Sequence, residues 1–119
     1  MSERIGTLTS VVINTTDVAA LAPFWQAVLG VETAHAIDEY FVWLQPQSRH
    51  GVRVALQKVP DPTPGRRRLH LDLLVDDLAS ARGRIEALGG SHVEDHTMGG
   101  ISWSVMRDPD GNEFCIARA

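Results

Sequence analysis

The chain reads as an α+β protein of two tandem βαβββ modules whose mixed sheets curve into a cup, and three observations predict this. Ser10 to Gly30 (SVVINTTDVAALAPFWQAVLG) and His70 to Gly89 (HLDLLVDDLASARGRIEALG) repeat one order of patterns. Each opens on a strand rich in β-branched residues or leucine, reaches an aspartate, continues at helical spacing and stops at glycine. Three short runs bounded by turn residues then follow each copy. Finally, 119 residues suffice for one domain with its own core, without disulfides or metals to hold it together.

The first module covers about residues 5–59. On its opening strand, alternation sends Val11 and Ile13 under the helix and Ser10, Val12 and Asn14 to the opposite face. Asp17 is the predicted N-cap, because a short carboxylate accepts bonds from the free N–H groups of a first helical turn. Leu21, Phe24, Trp25, Val28 and Leu29 form the apolar stripe, and Gly30 ends the helix in the left-handed conformation. Pro23 removes one helix hydrogen bond and is expected to delay or bend the helix. The runs ETAHAID, YFVWLQP and VRVALQKV then form a meander. In the last of them Val54 and Leu56 point one way, and Arg53, Ala55 and Gln57 the other.

A stiff linker, residues 60–67, carries Pro60-Asp61-Pro62-Thr63-Pro64-Gly65, and Arg66-Arg67-Arg68 read as solvated rather than as an anion site. The second module covers about residues 68–119. Leu69, Leu71, Leu73 and Val75 are expected beneath its helix, with His70, Asp72 and Leu74 facing away. Asp77 caps that helix, Leu78, Ala81, Ile85 and Leu88 make its stripe, and Gly89 ends it. SHVEDHT, ISWSVM and NEFCIA follow, with turns at Gly99-Gly100 and at Asp108-Pro109-Asp110-Gly111. Phe114 and Ile116 oppose Glu113 and Cys115.

Composition excludes several partners. A net charge of -4 with eleven Lys plus Arg gives no basic field, so nucleic acid is not expected. No run approaches the roughly 20 apolar residues of a membrane span, and the amino terminus lacks an apolar signal core. One cysteine, Cys115, cannot form an internal disulfide, which fits a cytoplasmic protein.

DVAALAPFWQAVLG, HLDLLVDDL, EALGG and DPDGNEFCIA together resemble the vicinal oxygen chelate superfamily, the glyoxalase, bleomycin-resistance and extradiol-dioxygenase fold, and most closely its small glyoxalase-like members. The resemblance covers nearly the whole chain. It implies a cup, commonly completed in a homodimer or by pairing within the chain, and in metal-dependent members a divalent ion held by His or Glu near the start of each module's first strand and in its last strand. Carried over, those positions are Ser10, Gln57, His70 and Cys115. His70 fits the pattern, whereas Ser10 and Gln57 are neutral oxygen donors, so the metal site reads as degenerate.

His70 is therefore the candidate general base, since imidazole titrates near neutral pH, or else a cavity histidine bonded to Asp72 or Gln57. Cys115 is a candidate nucleophile beside it, or a small buried hydrophobe. Ser10, Gln57, Phe41, Trp43, Trp103, Glu113 and Cys115 are the candidate ligand-binding residues, the aromatics as flat walls for an aromatic or otherwise apolar molecule. No resident metal or other cofactor is expected; were a divalent ion bound, His70, Glu113 and Cys115 would hold it. His92, Glu94 and His96 share a face on strict alternation and read as a solvated polar face, because residues four apart on a strand are about 13 Å apart. The expected function is small-molecule binding, with metal-free acid-base chemistry or ligand sequestration. The alternative is a divalent-metal-dependent lyase, isomerase or dioxygenase.

Overall fold

A computed structural model describes residues 4–61 and 68–118. The elements are β1 (Thr7–Thr15), α1 (Val18–Leu29), β2 (Thr33–Ile37), β3 (Phe41–Leu44), β4 (Arg53–Lys58), β5 (Leu69–Val75), α2 (Leu78–Ala87), β6 (Ser91–Met98), β7 (Ile101–Arg107) and β8 (Glu113–Arg118). This is the βαβββ order twice over. Most of the expected linker, with Arg66 and Arg67, lies outside the described residues. By its contacts the chain divides into two compact units, the divisions falling inside β1 after Thr9 and inside β5 after His70.

In the first module the strand order is β2-β3-β4-β1. The β1/β4 ladder is parallel and the other two are antiparallel, the pattern of a helical crossover followed by a meander. Asp17 caps α1 by accepting from the Ala20 N–H at 3.1 Å, and Gly30 ends it at φ 67°. The helix starts directly after its cap, with Pro23 inside it, so the proline does not delay it. Its buried line also differs from the predicted stripe. Val18 and Ala22 are buried against Leu56, with Leu21 and Trp25 packed alongside, whereas Phe24 and Val28 are each 57% exposed. Packing of Val18 and Ala22 on Leu56 of β4 sets the helical phase, and at 100° per residue that phase turns Phe24 and Val28 outward.

The second module repeats the plan with the order β5-β8-β7-β6, β5/β8 parallel and the rest antiparallel. Asp77 accepts from the Ser80 N–H at 2.8 Å. At the other end of α2, the Gly89 N–H donates to Glu86 O and the Gly90 N–H to Ile85 O, a Schellman closure that requires the positive φ of Gly89, 101°. The core here is Val75, Ala81, Ile85, Met106 and Ile116, with Leu73, Leu78 and Phe114 against it. Leu88 is 74% exposed because it is the cap residue rather than part of the stripe. Leu69 and Leu71 are exposed too, since only the end of β5 carrying Leu73 and Val75 reaches this core. Among the described residues, no helix is long and apolar enough to cross a membrane.

Candidate functional site

With Phe114, Ile116, Met106, Leu73 and Val75 committed to the core beneath α2, the alternate residues of the same strands share the opposite face of the sheet. They are His70 and Asp72 on β5, Glu113, Cys115 and Ala117 on β8, and Trp103, Val105 and Arg107 on β7. Register fixes who meets whom. Asp72 lies across from Cys115, Cys115 from Val105, Ala117 from Trp103, and Glu113 from Arg107. One ligand-type atom each from His70, Asp72 and Cys115 comes within 4.8 Å of the others, and all three residues are half-buried. An imidazole, a carboxylate and a thiol thus converge where paired strands β5 and β8 run side by side.

The turn before β8 aims Cys115 into this group. Asp108 Oδ1 accepts the N–H groups of Asp110 and Asn112 at 2.9 Å each, and its Oδ2 accepts Asn112 Nδ2 at 2.9 Å. These bonds, Asn112's first, hold the Asp108 carboxyl below the usual carboxylate range. Gly111 completes the reversal at φ 89°.

Asp72, rather than Glu113, completes the His70 and Cys115 group. Glu113 lies two residues before Cys115 on the same face, where Arg107 Nη2 is 3.6 Å from its Oε2. The signal for Asp72 was its spacing, since residues i and i+2 of a strand share a face and His70 and Asp72 are such a pair.

In the first module Ser10 is 3% exposed and lies across from Arg53, while Gln57 lies across from both Asn14 and Phe41. The two repeats superpose in register: Asp17 answers to Asp77, Val12 to Asp72 and, across the ladder, Ala55 to Cys115. Gln57 therefore answers to Ala117 and not to Cys115. This is a correction to the expected equivalence. Phe41 and Trp43 share the face of Gln57 and Ala55, their rings stacked at 5.3 Å and 14°, with His35 on Trp43 at 5.4 Å.

Strand β6 departs from strict alternation. A register shift between His92 and Glu94 places Glu94 across from Val105 and His96 across from Trp103, whereas His92 meets Met106 and Asp95 meets Ser104. Glu94 and His96 consequently face the side of Cys115, while His92 and Asp95 face α2. On the α2 side, Asp95 accepts from Ser104 Oγ at 2.6 Å, lies 2.8 Å from His92 Nε2 and pairs with Arg82 at 3.5 Å. Ser104 first and His92 second hold its carboxyl below the usual range. On the other side, Glu94 Oε2 is 2.6 Å from His96 Nε2, and the His96 ring stacks on Trp103 at 5.3 Å.

The family model of the glyoxalase-like domain matches residues 10–117. The chain belongs to that family. Its neighbours among solved structures share the fold. A methylmalonyl-CoA epimerase from Mycobacterium tuberculosis superposes with a TM-score of 0.74 at 15% identity, over 99% of this chain and 91% of that one. A glyoxalase/bleomycin resistance protein/dioxygenase superfamily member from Vibrio splendidus 12B01 gives 0.61 at 19% identity, over 95% and 97%. A Mn(II)-bound glyoxalase from Novosphingobium aromaticivorans gives 0.64 at 19% identity, over 93% of this chain and 37% of that one. No curated protein matches the sequence. At these identities the likeness to solved structures is one of fold, and residue roles in this glyoxalase-like domain rest on its own side chains.

Proposed function

We propose that this glyoxalase-like domain binds a small, largely apolar organic molecule against the sheet face of its second module and exchanges a proton at the carbon beside a carbonyl group. The observation that carries the reading is the approach of His70, Asp72 and Cys115 to within 4.8 Å of one another. His70 takes the proton, because a neutral imidazole is a base near neutral pH. The Asp72 carboxylate stabilises the imidazolium that forms and orients its ring. Cys115 and Trp103 contribute polarisable and apolar surface to hold the substrate. Phe41, Trp43 and Gln57 line the corresponding face of the first module, and the working unit is a homodimer.

The family's metal pattern fits poorly here, with serine at position 10 and Ala55, rather than Gln57, as the counterpart of Cys115. A second reading nevertheless has a specific observation behind it. His70, Asp72 and Cys115 are nitrogen, oxygen and sulfur donors whose metal-binding forms carry two negative charges in all, a set suited to a divalent ion of the zinc class. Such an ion would polarise a ligand oxygen.

The test is proton exchange of phenylacetone in D2O, followed by NMR, for the parent and His70→Ala. Exchange above the buffer rate that is lost in the variant supports the reading; equal rates in parent and variant refute it. Elemental analysis of protein purified without chelator decides between the two forms. About one equivalent of transition metal, lost in Asp72→Ala, selects the metal-dependent one. For the assembly, sedimentation showing only a 13.0 kDa species would exclude the dimer.

A further inference from the structure

The Glu94–His96 pair has no part in the chemistry assigned to His70, yet the bulge in β6 turns it onto the same face. Comparison of the modules separates what is structural in this arrangement from what is not. A histidine stacked on a tryptophan occurs in both, His35 on Trp43 and His96 on Trp103, so the stack belongs to the module plan. The carboxylate differs. In β2 the register shifts immediately before His35, so Thr33 meets Leu44 on the helix side and its Oγ1 accepts from Gln26 of α1 at 3.2 Å. In β6 the shift falls one residue pair further from the histidine, which keeps Glu94 beside His96. Bulges re-aim side chains in this way at functional sites.

Register also gives the geometry of the face. Glu94, Val105, Cys115 and Asp72 form one row across four strands, and His96, Trp103 and Ala117 form the next. Two strand spacings separate Glu94 from Cys115, about 10 Å between backbones. Between these polar ends lie the buried Val105 and the half-buried Trp103.

We propose that Glu94 and His96 are a second polar pole of the site, binding a hydroxyl group at the end of an aromatic ligand remote from its reacting carbon. The ring packs alongside Trp103, and the hydroxyl exchanges hydrogen bonds with the imidazole that Glu94 holds. A hydroxyl suits a histidine–carboxylate pair because it both donates and accepts. The proposal rests on the reading that the reacting end lies at His70, and it adds the class of ligand: a para-hydroxylated aryl compound with a carbonyl side chain.

The experiment compares 4-hydroxyphenylacetone with phenylacetone, which lacks only the hydroxyl, by titration calorimetry. The parent is expected to bind the hydroxylated probe roughly three- to tenfold more tightly, the range of one net hydrogen bond. His96→Phe keeps a ring on Trp103 and should bind both probes equally. Glu94→Gln, which keeps a hydrogen-bonding group beside the imidazole, should show a reduced preference and serves if His96→Phe fails to fold. His70→Ala should weaken both probes alike and keep the preference. No preference in the parent, or a preference that persists in both β6 variants, overturns the second pole while leaving the His70 reading in place. Failure of the parent to bind either probe overturns both.

Discussion

Replacing Asp95 with alanine tests the arrangement of β6 most directly, because Asp95 holds the strand on the α2 side and thereby keeps Glu94 and His96 on the other. Its carboxylate accepts the Ser104 hydroxyl at 2.6 Å, and Ser104 is 2% exposed. Removing the acceptor strands a buried hydroxyl, which typically costs about 1–3 kcal/mol. Asp95 itself is 58% exposed, so water and solvent screening offset part of the loss, and about 1–2 kcal/mol is expected. In a domain of this size that lowers Tm by about 4–10 °C. Urea denaturation of the parent, Asp95→Ala, Ser104→Ala and the double variant forms the assay. With both partners gone no donor is stranded, so the double variant should lose less than the sum of the single ones, by about 1 kcal/mol. The acid dependence carries a sign. The folded-state pKa lies below the unfolded value near 3.8, so the contribution is fully present above that value and is lost as pH falls through the folded pKa. The gap between parent and Asp95→Ala should therefore hold steady from neutral pH to the unfolded value and close below it. Strict additivity, or Asp95→Ala as stable as the parent, would show that this bond does not hold β6.

Four further changes follow from packing and turn geometry. A Cβ at Gly90 would lie 2.6 Å from Ile85 Cγ2 and 2.8 Å from the Arg107 carbonyl, so Gly90→Ala should cost about 1–3 kcal/mol. At Gly83, inside α2, a Cβ meets nothing within 4 Å, and Gly83→Ala should instead stabilise by about 0.5–1 kcal/mol; thermal melts of the two should move in opposite directions. Leu56→Ala should lose about 2–5 kcal/mol in urea denaturation, because Leu56 is fully buried beneath α1. Asp108→Ala should speed amide exchange at Asn112 and the start of β8, since the carboxylate closes that turn; its folded pKa is lowered, so acid should mimic the substitution as pH falls below 3.8.

Much of the site was legible in the alternation of β5 and β8. RLHLDLLV and NEFCIA carry the period of two that separates core from exposed face, and His70 and Cys115 followed from it. Asp72 obeyed the same rule, yet Glu113 looked equally eligible in the sequence. Pairing decides between them, because Asp72 lies across from Cys115 while Glu113 lies across from Arg107. Gln57 departs from its expected place for a related reason. An internal repeat gives the order of elements, but only the ladder shows that Ala55 is the counterpart of Cys115.

What the sequence determined by itself was local: the capping aspartates at 17 and 77, the glycines that end both helices, the turn at Asp108 and the repeated βαβββ order. These depend on residues within a few positions of one another, so their chemistry is readable along the chain. The tertiary structure decided the phase of α1, which exposes Phe24 and Val28, the partner of Cys115, and the bulge that turns Glu94 and His96 onto its face. Each of these is set by register against a strand or helix distant in sequence, and a shift of one residue in a strand sends its side chains to the opposite face.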